Sequence, residues 1–267
     1  MPAEAQRRIR EEAAAVGAPT LTSFVFENLR RDIIAGIHAP GEKLRVEHIR
    51  AEFGVAASTM REALARLVSE GLVTAEGQRG FRVAPMSLED LRDITRLRLI
   101  LETESLVESI RAGDVAWECQ VVAAFHNLTR AEERVGSMKA EDFSHWEECN
   151  KEFHRALGLA CASPRLQQLV EILYRQHERY RFQSMMRSTE ESRTFDNTRL
   201  RRNVHAEHEA LMKAALDRNE DAARRILADH IQTTADTFER RLTAAAGPKG
   251  KAKRSDRKAA GGAAALA

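Results

Sequence analysis

Residues 58–84 read STMREALARLVSEGLVTAEGQRGFRVA, and they decide how the N-terminal part of this chain folds. In the first half, large apolar residues recur every three or four positions until Gly71, which predicts a helix over residues 58–70. In the second half, runs 72–75 and 81–84 flank a loop that carries two glycines, which predicts a two-stranded hairpin. A helix that leads directly into such a hairpin is typical of the second half of a winged helix-turn-helix.

Two further helices are predicted before this stretch. Apolar residues at helical spacing predict a first helix over residues 21–37, followed by Pro40 and Gly41, and a short second helix that ends at Gly54. The side chains expected to be buried on these two helices are Phe26, Leu29, Ile33, Ile37, Val46, Ile49 and Phe53. Residues 20–86 are therefore predicted to form one winged helix-turn-helix domain with three helices and a two-stranded wing.

The following part of the chain shows helical periodicity only. Ser87 to Asp90 form a capping-box pattern, which predicts the start of a long helix. The predicted helices cover residues 87–112, 115–136, 140–161, 164–187, 196–217 and 219–243. Residues 87–242 are therefore expected to form an all-α bundle of six or seven helices, and the fold class of the chain is expected to be mainly α.

The composition indicates a cytoplasmic globular protein. Of the 267 residues 31% are charged, and no run approaches the ~20 apolar residues that span a bilayer. Cys119, Cys149 and Cys161 lie far apart and are expected to be reduced thiols. Residues 1–19 are expected to be a disordered arm, and residues 243–267 a disordered basic tail with too few large apolar residues to pack.

The N-terminal part resembles the DNA-binding domain of the GntR family of bacterial transcription regulators. The resemblance is carried by residues 34–41, 54–55 and 61–73, which read IAGIHAPG, GV and REALARLVSEGLV. It implies a homodimer that binds double-stranded operator DNA.

The helical part resembles the ligand-sensing domain of the FadR subfamily of these regulators. The resemblance is carried by residues 98–102 (RLILE), residues 150–154 (NKEFH), His208 and His230. Together the two resemblances cover roughly residues 20–240. They imply that a small molecule bound by the helical domain controls the affinity for DNA.

Five residues are candidate DNA contacts, because a winged helix-turn-helix places its second motif helix in the major groove and its wing along the backbone or the minor groove. They are Arg50, Ser58, Arg61, Arg79 and Gly80. Arg61 points away from the apolar stripe of its helix and can pair with guanine or a phosphate, or alternatively with a carboxylate of its own domain. Residues 56–59 read AAST, so alanines stand where the family usually has a polar residue and an arginine that contact DNA.

Spacing predicts that four polar side chains meet inside the bundle. Asn150 and His154 are four residues apart and share a helical face. His208 and His230 are equidistant from Asn219, so an antiparallel hairpin of the last two helices would place them at one height. Three imidazoles and one amide oxygen suit a divalent metal ion, with zinc or nickel as the expected metals. Each histidine taken alone could instead be a hydrogen-bonded core residue.

A small carboxylate is the expected effector. The family usually has an aspartate at the position of Asn150, so the four ligands predicted here are neutral and the metal keeps its full charge. That charge favours an anionic partner, held partly by the metal and partly by Arg98. Arg98 could instead form an i,i+4 ion pair with Glu102.

Three alternatives belong to other functional classes. A helical metalloenzyme would use coordination positions that three histidines leave open, but no His-Glu-x-x-His run supplies a base, and the chain is not expected to be an enzyme. A metal-free regulator that senses an acyl thioester would have no use for three converging imidazoles. A non-sensing interaction bundle would not be stabilised by any small molecule.

Overall fold

The structure is a computed structural model that describes residues 17–77, 80–135, 140–186 and 203–245, together with Ile9, Glu11 and residues 13–15. In chain order the elements are α1 (Leu21–Ile34), β1 (Lys43–Leu44), α2 (Val46–Glu52), α3 (Ala57–Ser69), β2 (Val73–Ala75), β3 (Phe81–Val83), α4 (Leu88–Ala112), α5 (Val115–Val135), α6 (Ala140–Leu157), α7 (Pro164–Met186), α8 (Val204–Leu216) and α9 (Glu220–Ala245). The mainly α fold predicted from the sequence is confirmed.

Helices α1, α2 and α3 with the three strands form an N-terminal unit around one apolar core. The largest of its fully buried side chains are Leu29, Leu44, Met60, Leu64, Leu67 and Leu72. The sheet is antiparallel in the order β1-β3-β2, with Lys43 opposite Arg82 and Leu44 opposite Phe81. The prediction of a two-stranded wing is therefore incomplete, because β1 adds a third strand to the sheet. Strand β1 is too short to show an alternating pattern in the sequence.

Helix α1 is shorter than predicted, and one of its expected core residues is on the surface. The helix ends at Ile34, and Gly36 takes a φ of +74° that turns the chain away from the helix axis. Phe26, Leu29 and Ile33 are buried as expected, but Ile37 is 69% exposed. The prediction for Ile37 is wrong because helical periodicity cannot be extended past the glycine that ends the helix.

Parts of both predicted disordered segments have a structure. Ile9 and Ala13, one helical turn apart, pack into the N-terminal core, so residues 1–19 differ from a free arm at these positions. Helix α9 extends to Ala245, past the predicted end of the bundle at residue 242. Residues 246–267 of the predicted tail lie outside the described residues.

Helices α4 to α9 form a helical unit with a second apolar core. Helix α4 packs against α7 and α9, while α5 packs against α6 and α8. The core includes Trp117, Val121, Leu128, Phe153 and Leu227, which are contributed by the three helices α5, α6 and α9. Within the described ranges, no helix is both long and apolar enough to cross a membrane.

Two helix boundaries of the bundle differ from prediction. Helix α6 ends at Leu157 instead of residue 161, because the chain turns at residues 158–160. Helix α8 is described from Val204, and the predicted start at residue 196 lies outside the described residues.

Replacing Gly71 by alanine is expected to lower the free energy of unfolding by about 1.5–3.5 kcal/mol. Gly71 has a φ of +70°, which disfavours any residue with a Cβ. The added Cβ would lie 2.2 Å from Nε2 of Gln176, which donates to the carbonyl oxygen of Glu70. Urea denaturation of the full chain measures the loss.

The control for this change is Gly41→Ala. Gly41 has a φ of +79°, and a Cβ built on it meets no described residue within 4 Å, so it shares the backbone strain without the contact. Equal losses of stability in the two variants would show that the Gln176 contact contributes nothing.

Candidate metal centre and DNA-reading surface

Three imidazoles converge in the core of the helical unit. His154 on α6, His208 on α8 and His230 on α9 each offer one ring nitrogen, and these nitrogens lie within 4.8 Å of one another. The ring centroids are 5.5 Å apart for His154 and His208, 5.1 Å for His154 and His230, and 4.8 Å for His208 and His230. The structure thus brings together the three histidines singled out by their spacing. His205 does not belong to this group.

Two carboxylates lie behind the histidine cluster. Glu207 contacts Nδ1 of His230 at 2.8 Å, and Glu132 lies 3.5 Å from Nδ1 of His208 while it also contacts His205 at 2.6 Å. Metal-bound imidazoles usually have such a carboxylate at the ring nitrogen that does not bind the metal, because it fixes the tautomer and orients the ring. This arrangement directs the Nε2 atoms of His208 and His230 away from the carboxylates.

The surroundings of His154 favour its neutral imidazole. Burial lowers the pKa of His154 well below its usual value, and the neighbouring His230 and His208 lower it further. His208 has no exposed surface, and neither its Nε2 nor the Nδ1 of His154 has a hydrogen-bond partner among the described residues. Buried polar atoms without a partner are costly, and a neutral imidazole is the form that binds metals. The donor set therefore fits a divalent metal ion.

Asn150 is held beside the cluster by a tyrosine of α7. The side chain is 3% exposed, and its Nδ2 donates to the hydroxyl of Tyr174 at 2.8 Å. His154 also contacts Tyr174, with ring centroids 6.2 Å apart. Because the amide nitrogen is engaged by the hydroxyl, the amide oxygen is the atom of Asn150 that could reach a metal.

Two buried arginines lie on the ring of Tyr174, each with a carboxylate partner. Arg98 donates from Nε to Glu102 at 2.5 Å, so the i,i+4 pair considered from the sequence is formed. Arg181 pairs with Glu147 and donates to the Tyr174 hydroxyl at 3.0 Å. The guanidinium carbons of both arginines are 5.3 Å from the Tyr174 ring centroid. Burial raises the pKa of Glu147 to about 7, although Arg181 opposes the shift.

A cavity of about 450 Å³ opens beside these residues. Its lining includes His154, Glu102 and Tyr174, together with Arg30 of the N-terminal unit and Arg175 of α7. This volume lies in the range of small-molecule pockets. The cavity therefore extends from the histidine cluster to the boundary between the two units.

Sequence reasoning missed several residues of this site. Glu132, Glu207, Tyr174 and Arg181 belong to three helices, and only Glu207 had a local signal, since it directly precedes His208. The other three reach the site because α5 and α7 pack around α6, α8 and α9. No spacing within a single helix encodes that packing.

The candidate DNA contacts lie on the outer side of the N-terminal unit. Ser58 and Arg61 are exposed on α3, and Arg50 on α2 is 41% exposed and pairs with Glu47 at 2.5 Å. Gly80 has a φ of +97°, while Arg79 lies outside the described residues. Arg66, also on α3, is instead stacked at 4.0 Å on the ring of Phe26.

Two protein families match the chain. Residues 21–83 match the bacterial regulatory proteins of the gntR family, and residues 93–233 match the FCD domain. The HTH-type transcriptional regulator BphR of Paraburkholderia xenovorans is 40% identical over 80% of this chain and 84% of its own length. The HTH-type transcriptional repressor GlaR of Escherichia coli is 34% identical over 80% of this chain and 94% of its own length.

Solved structures share the fold. Escherichia coli McbR/YncC gives a TM-score of 0.68 at 20% identity over 84% of this chain and 99% of its own. A putative GntR regulator from Rhodococcus gives 0.61 at 24% identity over 84% of this chain and 98% of its own. These similarities are to transcription regulators and not to enzymes. The chain therefore belongs to the GntR family, as a DNA-binding transcription regulator whose C-terminal FCD domain senses a ligand.

Proposed function

We propose that this regulator is a cytoplasmic homodimer that binds two-fold-symmetric operator DNA and responds to a small carboxylate held at a metal ion. The observation that carries the proposal is the convergence of His154, His208 and His230 beside a cavity of about 450 Å³. The name of the Escherichia coli relative, a transcriptional repressor, favours repression as the mode of control.

Three imidazole nitrogens and the amide oxygen of Asn150 would hold the metal. This neutral set of nitrogen and oxygen donors suits zinc or nickel, and the bound ion would act as a Lewis acid toward a carboxylate. Glu132 and Glu207 would orient two of the imidazoles from behind and supply negative charge outside the donor set. His154 has no such carboxylate among its described contacts, and its ring is fixed by packing between Phe153 and Tyr174.

Arg98 would supply the counter-charge for the acid while it stays paired with Glu102. Its Nε and Nη2 atoms donate to Glu102, which leaves the Nη1 end of the guanidinium for the ligand. A cation that is 4% exposed and already neutralised can bind an acid without a large rearrangement of the buried charges. The two interpretations of Arg98 made from the sequence are therefore compatible.

The N-terminal unit would read DNA through α3 and the wing. Ser58 and Arg61 are exposed on α3 and would face the major groove, and Arg50 would contact a phosphate. Gly80, with no side chain, would allow the wing to approach the backbone, and Arg79 would add a positive charge there.

The exposed apolar face of α4 supports dimerisation. Leu97 is 39% exposed and Ile100 is 55% exposed, and they lie about one turn apart on the same helix. Two copies that pair through such a face would align two α3 helices for two half-sites of an operator.

Replacing Arg61 by alanine is expected to weaken specific DNA binding by about 1–3 kcal/mol and to flatten discrimination at one position of each half-site. The measurement is fluorescence anisotropy on DNA that the wild-type protein enriches from a random pool. Arg66→Ala is the matched control, since it removes the same charge from the same helix. Equal effects of the two variants, or enrichment of asymmetric sites only, would contradict the proposed reading of DNA.

Metal analysis is expected to find one zinc or nickel ion per subunit. At a free metal concentration 100 times the dissociation constant, the ion would stabilise the fold by about 2.7 kcal/mol, so a chelator should lower the melting temperature. His208→Ala should abolish both the ion and the chelator effect. His145→Ala, which removes an exposed imidazole of α6, should keep both. Less than about a tenth of an equivalent in metal-supplemented wild-type protein would refute the site, far below the single ion that a structural coupling requires.

Asn150→Asp is expected to tighten metal binding and to weaken the binding of acids, because a charged ligand cancels part of the excess charge of the ion. Calorimetric titration of metal-stripped protein with nickel measures the first effect, and titration of nickel-loaded protein with acetate, lactate and succinate measures the second. Arg98→Gln should weaken the acids but leave nickel binding in place. If acids bound equally well to metal-stripped protein, the metal would have no part in sensing.

A further inference from the structure

We propose that Gln176 and Arg179 of α7 are positioning residues for DNA binding, which hold the recognition helix α3 and the wing in a pose that depends on the sensor cavity. The inference rests on the proposed function, because it takes the cavity beside the histidine cluster as the place where the signal arises. It assigns the transmission of that signal to one helix whose two faces contact the two units.

One face of α7 lies in the sensor site. Tyr174, His177 and Arg181 are three and four residues apart, so they share this face. Tyr174 accepts a hydrogen bond from Asn150, and Arg181 pairs with Glu147 of α6. His177 is 1% exposed and stacks on Phe238 of α9 at 5.3 Å. Any rearrangement of Asn150 around a metal ion would therefore act directly on α7.

The adjacent face of α7 donates hydrogen bonds to backbone carbonyl oxygens of the N-terminal unit. Gln176 donates to the carbonyl oxygen of Glu70, the residue that caps the C-terminus of α3, at 3.0 Å. Arg179 donates to the carbonyl oxygen of Ala84, directly after β3 of the wing, at 2.5 Å. These two bonds fix both DNA-reading elements to the same helix.

Arg179 is an unusual choice if the contact were only structural. Its side chain is 3% exposed, and burial lowers its pKa although Tyr180 and Asp90 oppose the shift. A buried cation whose described hydrogen bond goes to a neutral carbonyl depends strongly on that carbonyl staying in place. A displacement of the wing would therefore disturb this bond and with it the position of α7.

The surface of the N-terminal unit is shaped to receive these side chains. A Cβ on Gly71 would lie 2.2 Å from the side-chain nitrogen of Gln176, and a Cβ on Gly36 would lie 2.2 Å from that of Gln183. Gln176 and Gln183 are seven residues apart and occupy the same face of α7. Two glycines thus admit two glutamines at close range. These contacts, with the bonds of Gln176 and Arg179, form the seam between α7 and the N-terminal unit, and the seam is therefore sensitive to small shifts of the helix.

The covalent link between the units is held by the same helix. The hydroxyl of Tyr180 accepts a hydrogen bond from the backbone nitrogen of Ser87 at 3.1 Å and lies 2.5 Å from a carboxylate oxygen of Asp90. Ser87 caps α4, the helix that carries Arg98. A shift of α4 and a shift of α7 would therefore both act on the start of α4.

The experiment uses nickel alone as the probe and the full chain throughout. Hydrogen exchange is measured over residues 57–84 with and without nickel, and DNA affinity is measured in both states on a fragment enriched by the wild-type protein. In wild type, nickel is expected to change exchange at the ends of α3 and β3 and to change DNA affinity by about fivefold or more. In Gln176→Ala and Arg179→Ala, nickel should still bind once per subunit, but the change in DNA affinity should fall toward onefold.

Two further variants separate a positioning role from a general loss of stability. Arg179→Lys keeps the charge and a donor, and it should restore part of the nickel effect. Arg165→Ala, an exposed change on the first turn of α7 whose described bond is to Gln168, should behave as wild type. An unchanged nickel effect on DNA affinity in both Gln176→Ala and Arg179→Ala overturns the proposal. So does a wild-type nickel effect confined to residues beyond 87.

A second experiment tests the positioning role of Gln176 and Arg179 even if the metal proposal fails. If nickel did not bind, calorimetry of the metal-free chain would still test the seam. Wild type should unfold in one cooperative transition, and Gln176→Ala and Arg179→Ala should split it into two. A single transition in these variants would overturn the positioning role independently of the metal.

Discussion

The burial of three imidazoles in the core of a helical bundle is the constraint on which the site depends. His208 has no exposed surface, and the adjacent Phe153 is also fully buried, so bulk solvent does not reach the ring nitrogens of His208. A buried polar atom without a partner costs about 1–3 kcal/mol, and a cluster of them has to be offset by another interaction. Glu207 contacts the outer nitrogen of His230 at 2.8 Å, and Glu132 lies 3.5 Å from the outer nitrogen of His208. The inner side faces the other imidazoles, which is why a divalent ion is the partner that suits the cluster.

The heights of the histidines could be predicted from the sequence, but their outer partners could not. His208 and His230 are symmetric about Asn219, and an antiparallel helical hairpin converts that symmetry into spatial proximity whatever the details of packing. Glu132 belongs to α5, and its distance from His208 depends on how α5 packs on α8. Tyr174 depends in the same way on the packing of α7. Periodicity within a helix gives the face of a residue but not the helix that this face meets.

Predictions from the spacing of residues along the chain failed where contacts with distant parts of the chain or a turn determined the structure. Ile37 continues the apolar spacing of α1, but the turn at Gly36 removes it from that face. Strand β1 has two residues and forms because β3 offers it an edge, so no alternation could reveal it. Arg98 had two interpretations that seemed exclusive from the sequence. The structure forms the pair with Glu102 through Nε and Nη2, and Nη1 takes no part in that pair.

The contacts of the seam set the free-energy scale on which the sensor can control DNA binding. Besides the link at Ser87, α7 is joined to the N-terminal unit by the bonds of Gln176 and Arg179 and by the ion pair of Arg175 with Glu70. A neutral hydrogen bond such as that of Gln176 contributes about 0.5–1.5 kcal/mol net, and a bond made by a charged group about 1.5–3 kcal/mol, so these contacts together supply several kcal/mol. A ligand shifts the pose of the DNA-reading elements only by the difference in its affinity for the docked and the undocked seam. The roughly 1–3 kcal/mol typical of coupling between two sites is comparable to one or two of these bonds, whereas a seam built like a domain core would lock the units together. The polar, backbone-directed contacts of α7 therefore give a docking strong enough to transmit a signal and weak enough to be reversed by one.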